Sequence, residues 1–377
     1  MNKIPLTRPL FGREELKAVG NVLDSGWVTQ GPRVNEFEDA VCAYTGAKYG
    51  VATTSATTSL FLSLYLLGIG PGDEVIVPSF SFIATANVVV HVGAKPVFID
   101  IDPNTYNLDP KLIEKLITKK TKAIIPVDQV GLPAEHDLIK KIANKHNLHI
   151  VEDAACALGS SYNGKKIGSF SELTGLSFHP RKCVTTGEGG MILTNNLGYA
   201  RKLKMLRHHG MAISDVARNV SNKVIHETYP FIGFNFRITD IQAAVGVEQL
   251  KRLDAILESR NKKAEVYTNA FTNSKNIIPP FVPKNVIPNW QSYIIRLRKN
   301  KKIKRDGLMQ KLFDFGIASR RGVMSSHLET PYKKMYPKLR LAESEAASLE
   351  TLTIPLFPQM TKKEQAFVIK KILEFTE

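Results

Sequence analysis

Between residues 49 and 194 the chain alternates short apolar runs with longer amphipathic stretches, and this alternation commits it to a mostly parallel sheet covered by helices on both faces. Strands are predicted at 49–52, 75–78, 96–101, 123–127, 149–152, 173–178 and 190–194. Helices are predicted between them at about 57–67, 84–92, 110–116 and 135–146, with 68–73 as a turn. After residue 255 the pattern changes. A long helix is predicted at 251–271, four prolines (Pro279, Pro280, Pro283, Pro288) then break the chain, and a strand at 292–298 is followed by helices at 303–316 and 362–375. The expected organisation is a large α/β domain over 1–255 and a smaller α+β domain over 256–377. A chain of 377 residues is long enough for both.

Composition narrows the function classes. No apolar run is long enough to span a bilayer, and residues 1–12 lack a signal-peptide apolar region. Cys42, Cys156 and Cys183 have neither disulfide-framework nor metal-site spacing. A reducing cytoplasm is therefore expected. The net charge of +16 raises the question of a nucleic-acid partner. Its main clusters, at 299–305 and 362–371, come with no zinc, RRM or KH pattern. A basic cleft for an anionic small substrate is the better use of the same charge.

Three segments carry candidate chemistry. Val151-Glu152-Asp153-Ala154-Ala155 places a carboxylate directly after an apolar strand. Ligands collect there in an open parallel sheet, although a helix cap alone would also explain Asp153. Leu176-Ser177-Phe178-His179-Pro180-Arg181-Lys182 ends a strand at a proline and presents a lysine, before a glycine-rich return through Gly187-Glu188-Gly189-Gly190. A lysine held in a pocket can attack a carbonyl; taken alone, it is one surface lysine among many. Thr53-Thr54-Ser55-Ala56-Thr57-Thr58-Ser59 joins a strand to a helix with more hydroxyls than a cap requires. Such a helix N-terminus suits an anion. A phosphate cradle, an acidic partner for a pyridinium and a Schiff-base lysine are together what pyridoxal phosphate (PLP) demands of a protein.

At this point the sequence resembles the DegT/DnrJ/EryC1/StrS family of sugar aminotransferases. The resemblance runs through Ser25-Gly26-Trp27-Val28-Thr29-Gln30-Gly31-Pro32, residues 68–82, 151–159 and 177–195, Asn235-Phe236-Arg237-Ile238-Thr239-Asp240, and Pro355-Leu356-Phe357-Pro358. It implies PLP fold type I, the aspartate-aminotransferase-like α/β fold. It also implies a role for each matching position. Lys182 would carry the cofactor as a Schiff base and shuttle a proton. Asp153 would pair with the ring nitrogen, and Phe82 would stack on the ring. Ala56, Thr57 and Ser177 would bind the phosphate. Asn235 would reach the phosphate of a neighbouring subunit, so a homodimer with shared sites is expected. Gln30 falls in a segment near the substrate. His179 and Glu188 either orient substrate or serve as structural hydrogen-bonding residues.

Three positions depart from the family's usual pattern. Cys156 stands where Gln or His contacts the cofactor's phenolic oxygen. Ala56 replaces a frequent glycine, which makes a positive φ unfavourable there. Asp128 and Gln129 lie where a histidine is common. Arg320 and Arg321, read as part of a loop, suit a diphosphate. The expected reaction moves an amino group from L-glutamate to a nucleotide-linked keto-sugar. A 4-keto-6-deoxy hexose is the first choice, with a 3-keto-sugar or a cyclitol as alternatives. A non-catalytic regulator would be expected to lose Lys182 or Asp153. Neither nucleic-acid binding nor membrane insertion is expected.

Overall fold

A computed structural model describes residues 3–213, 226–298 and 303–377. Residues 299–302 of the basic cluster at 299–305 therefore lie outside the described residues. Two helices that the strand-first reading did not assign, α1 (Arg13–Ser25) and α2 (Pro32–Thr45), precede the sheet. The strands then follow in the expected order: β1 (Tyr49–Thr53), β2 (Glu74–Pro78), β3 (Lys95–Ile99), β4 (Thr121–Ile124) and β5 (His149–Asp153). A two-residue hairpin, β6 (Ser161–Tyr162) and β7 (Lys165–Lys166), separates these from β8 (Leu173–Ser177) and β9 (Gly190–Thr194).

The large sheet has seven strands in the order β1-β9-β8-β5-β4-β2-β3. Only β9 runs against the others. Every residue of β2 and β9 is buried, as strands covered on both faces must be. One face carries α3 (Ala56–Leu66), α4 (Ala84–His91) and α7 (Leu197–Leu206), whose Leu60, Leu64, Val88, Val89 and Leu203 share a core with Val51, Val75 and Val77. Two further helices, α5 (Ile113–Leu116) and α6 (His136–His146), pack Ile113 and Ile139 against Ile76 and Ile124. A further core joins α2 to α8 (Asp240–Lys251) through Phe37, Val41, Ala243 and Val247.

The C-terminal part forms an antiparallel sheet in the order β10-β12-β14-β13. Its strands are β10 (Ile277–Ile278), β12 (Tyr293–Leu297), β13 (Arg320–Arg321) and β14 (Thr351–Ile354), while β11 (Val286–Ile287) pairs with β6 instead. The boundary expected between 255 and 256 falls inside α9 (Leu253–Phe271). Ile256 of that helix packs in the large core, and Ala264, Tyr267 and Phe271 pack in the small one. Ile4 also belongs to the small core, where its backbone bridges to Ile317. Arg320 and Arg321 are strand rather than loop: they pair with Thr353 and Leu352 of β14. Among the described residues no helix is long and apolar enough to cross a membrane.

Candidate active site

Three parallel strands, β1, β8 and β5, end at the same edge of the sheet, with antiparallel β9 between β1 and β8, and each delivers one candidate group. β1 ends at Thr53, β5 at Asp153 and β8 at Ser177. This is the carboxyl edge of the sheet, where the ends of strands leave room for a ligand.

The β1 end turns into α3 at Ser55. The Ser55 hydroxyl accepts from Thr58 N at 3.2 Å, and the Thr58 hydroxyl accepts from Ser55 N at 3.0 Å. This reciprocal cap leaves the first amides of the helix, at Ala56 and Thr57, with no intrahelical carbonyl to bond. Ala56 is helical, so the glycine common at this position is not needed for a left-handed backbone. Gly190 is needed for another reason. A Cβ there would lie 2.3 Å from the Ser55 carbonyl and 2.6 Å from Ala56 N. The absent side chain lets β9 press against the helix start.

Asp153 is 6% exposed. Its Oδ2 accepts from the Thr85 hydroxyl at 2.7 Å, and its Oδ1 from Ala155 N at 3.2 Å. Burial pushes its pKa up, while the Thr85 and Ala155 bonds and the charge of Lys182 pull it down and the charge of Asp128 pushes it up. A buried carboxylate with two donors and a nearby cation is a receptor for a further positively charged N–H.

Lys182 follows a turn in which its own N–H bonds His179 O at 2.8 Å. The loop closes on Phe178, whose carbonyl accepts from Thr185 Oγ1 and Thr186 N. Cys183 and Val184, directly after the lysine, are buried in the large core. These anchors fix where Lys182 leaves the chain. Its Nζ reaches Cys156 Sγ at 3.0 Å. Asn289 holds the Cys156 carbonyl at 2.7 Å from the other side.

Around this centre the other predicted residues separate. Phe82 is 58% exposed. Ser177 Oγ accepts from His179 N at 3.4 Å. His179 Nε2 lies 3.9 Å from Glu188. Burial holds the imidazole below its ordinary pKa; Glu188 opposes this, and the charges of Arg181, Lys182 and Arg320 add to it. The charge of Arg320, on β13, thus acts on His179 and Arg181. Neighbouring residues of a strand face opposite ways, and Arg321 instead pairs with Glu329 at 3.2 Å. Asn235 is exposed, next to Phe236, whose carbonyl accepts from Thr54 N. Gln30 lies beside the start of α2, where Asp240 caps the amides of Gly31, Arg33 and Val34. Its buried Oε1 has no hydrogen-bond partner. Glu188 O accepts from Gln242 at the start of the neighbouring α8.

Thr85 and Arg181 were not singled out from the sequence. Arg181 had a signal, its adjacency to Lys182. Thr85 had none, because its contact spans 68 residues. Asp128, noted only as a departure, is fully buried with His136 and Glu152. His136 Nε2 is 2.9 Å from Asp128 and 3.4 Å from Glu152.

A buried carboxylate, a lysine amine beside it, a helix start with free amides and an uncovered aromatic ring are the donor set that a phosphorylated pyridine aldehyde requires. Comparison with known proteins agrees. Residues 9–373 match the model of the DegT/DnrJ/EryC1/StrS aminotransferase family. The spore coat polysaccharide biosynthesis protein SpsC of Bacillus subtilis is 36% identical over 378 residues, covering 99% of this chain and 97% of SpsC. The putative sugar aminotransferase Spr1654 of Streptococcus pneumoniae, in its pyridoxamine phosphate (PMP) form, superposes with a TM-score of 0.93 at 30% identity, covering 99% of both chains. Helicobacter pylori PseC, an aminotransferase of pseudoaminic acid biosynthesis, superposes at 0.92 with 29% identity, covering 100% of this chain and 99% of PseC.

Proposed function

This chain belongs to the DegT/DnrJ/EryC1/StrS aminotransferase family, and from that footing we propose that it moves an amino group from L-glutamate to a nucleotide-linked keto-sugar. It is a PLP-dependent aminotransferase, and Spr1654 is known in both PLP and PMP forms. The named roles of SpsC and PseC favour a sugar acceptor for this chain also. The observation that carries the reading is the convergence of Lys182 and buried Asp153 at the carboxyl edge of the sheet.

Bound PLP supplies an electron sink for the carbon that loses or gains a proton. The chain's own groups supply the rest. Lys182 would hold the cofactor through its Nζ and would move the proton at the reacting carbon when that amine is free. Asp153 keeps a proton on the ring nitrogen. Phe82 would pack on the ring, and Ala56 N, Thr57 N and Ser177 Oγ would hold the phosphate. Cys156 lies at the phenolic-oxygen position. Asn235, exposed on its own chain, reaches the phosphate of a second copy, which makes the active unit a homodimer. Arg320, with Arg181 and His179 beside it, offers charge for a diphosphate. Gln30 and Glu188 orient the substrate. The acceptor of first choice is a 4-keto-6-deoxy hexose, with a 3-keto-sugar or a cyclitol next. A non-catalytic regulator is disfavoured by the retention of Lys182 and Asp153. The enzyme would work in the cytoplasm.

The test is a visible spectrum with PLP, before and after L-glutamate, followed by a panel of nucleotide-linked keto-sugars. A yellow band that bleaches with glutamate and returns with one acceptor establishes both half-reactions. A band that glutamate leaves unchanged overturns the donor, and no band at all overturns the assignment.

A further inference from the structure

The Asp153 carboxylate is the end of a short hydroxyl chain, Ser81–Thr85–Asp153, whose first residue lies in a segment clamped from the C-terminal part of the molecule. Thr85 Oγ1 donates to Asp153 Oδ2 and also lies 2.9 Å from Ser81 Oγ. A hydroxyl has one proton. If Thr85 gives its proton to the carboxylate, Ser81 must give its own to Thr85. Both residues are 1% exposed, so water does not compete.

Ser81 is held in turn by residues 325–327. Ser326 Oγ donates to Ser81 O at 3.0 Å, and Ser326 N to Ser79 O at 2.7 Å. Phe80 and Ser325 form an antiparallel bridge. His327 N donates to Ser79 Oγ at 3.4 Å, and His327 Nδ1 contacts the same oxygen. With its oxygen accepting, Ser79 directs its proton to Nδ1. The other ring nitrogen then carries the hydrogen and donates to Glu345 at 3.2 Å. Ser79, Ser325, Ser326 and His327 are each 3% exposed or less. Residues 325–327 follow the strand that carries Arg320 to the site.

A buried polar cluster of this kind could simply join two packed units. Its position argues for more. The clamped residues 79–81 lead directly into Phe82, and the last hydroxyl of the chain holds the carboxylate itself. We propose that Ser326 and His327 are positioning residues of the cofactor site. They fix residues 79–81 so that Ser81 and Thr85 orient Asp153 and Phe82 faces the ring. This inference rests on Asp153 being the partner of the ring nitrogen.

The test is PLP binding to the full-length chain, titrated by absorbance, with the melting temperature measured on the same samples. Thr85→Val removes the last hydroxyl at constant shape. His327→Leu removes both ring contacts. His327→Asn keeps a polar atom at the Nδ1 position. Thr85→Val and His327→Leu are each expected to weaken PLP binding about tenfold, the scale of one lost hydrogen bond to a charged group. His327→Asn is expected within about threefold of wild type on the same scale. The Thr85→Val/His327→Leu double variant should bind no worse than the weaker single variant, because both act through one chain. The inference is overturned if His327→Leu lowers the melting temperature but leaves PLP affinity and band position unchanged. It is also overturned if the two losses multiply. Should His327→Leu not fold, Ser326→Ala replaces it in the same comparison. Wild-type protein that fails to bind PLP would instead overturn the reading of Asp153, and this inference with it.

Discussion

Lys182 Nζ donates to Cys156 Sγ across 3.0 Å, so the candidate catalytic amine rests against a thiol rather than an amide or an imidazole. Sulfur is a weak hydrogen-bonding partner, and the contact contributes little. Cys156→Ala should therefore keep the yellow band with PLP and hold turnover within about fivefold of wild type, a loss of at most ~1 kcal/mol. Absorbance and steady-state rates check this. Loss of the band would show that the thiol holds the lysine in place.

Lys182 itself should not be replaceable. Lys182→Ala removes the group proposed to move the proton, which should cost on the order of 10²- to 10⁴-fold in rate. Folding should be nearly unaffected, since Cys183 and Val184 anchor the loop. A Lys182→Ala variant with wild-type transamination rates and an unchanged melting curve would end the proposed mechanism.

The two adjacent arginines should behave differently. The charge of Arg320 acts on His179 and Arg181, while Arg321 is paired with Glu329. Arg320→Ala should raise the KM for the nucleotide-linked acceptor roughly ten- to a hundredfold, the scale of one charge-assisted contact, with kcat and the glutamate half-reaction little changed. Arg321→Ala should stay within about threefold on the same scale. Equal effects from both would contradict the strand geometry of β13.

His136 makes stability depend on pH. Burial alone would lower its pKa, but Asp128 and Glu152 on either side raise it from 6.5 to about 9. Burial likewise raises Glu152, against the pull of His136. The folded state therefore holds protons more tightly than the unfolded one. This contribution is fully present below pH 6.5 and is lost as pH rises through about 9. For His136 it is on the order of 3 kcal/mol. Denaturation midpoints of wild type and His136→Gln, measured from pH 6 to 10, should converge as pH rises. A constant difference across that range would show that His136 is not charged.

Glu38 and Arg207 form an ion pair with each residue only 2% exposed. Both also bind the backbone of Ala52 in β1, through Ala52 N at 2.9 Å and Ala52 O at 2.6 Å. Removing Arg207 leaves the Glu38 carboxylate buried, with the half-exposed Lys204 still 3.0 Å from its Oε2. Arg207→Met should therefore cost ~3 kcal/mol in urea unfolding, the lower end of the cost of breaking a buried pair. The double variant Arg207→Met/Glu38→Leu should recover part of that loss, and no recovery would mean that the backbone bonds dominate.

The strands of the seven-stranded sheet, the hydroxyl-rich start of α3, Asp153 at the end of β5 and Lys182 in the loop after β8 could all be read in the chain. Each depends on periodicity and short-range chemistry within about ten residues. Of residues 13–45 only the motif at 25–32 was read, and the two helices became evident only where Phe37 and Val41 pack against α8. Arg320 and Arg321 became strand because β14, some thirty residues later, offers its edge to them. The contacts that arm the site are still more distant. Thr85 meets Asp153 across 68 residues, and Ser79 meets His327 across 248. Which side chains meet at such separations is decided by strand order and by how the C-terminal sheet seats against residues 79–81. Local sequence determined which groups stand at the ends of the strands; only tertiary packing decided what holds them, because burial removes the water that would otherwise satisfy them and leaves each polar atom dependent on whichever partner the fold delivers.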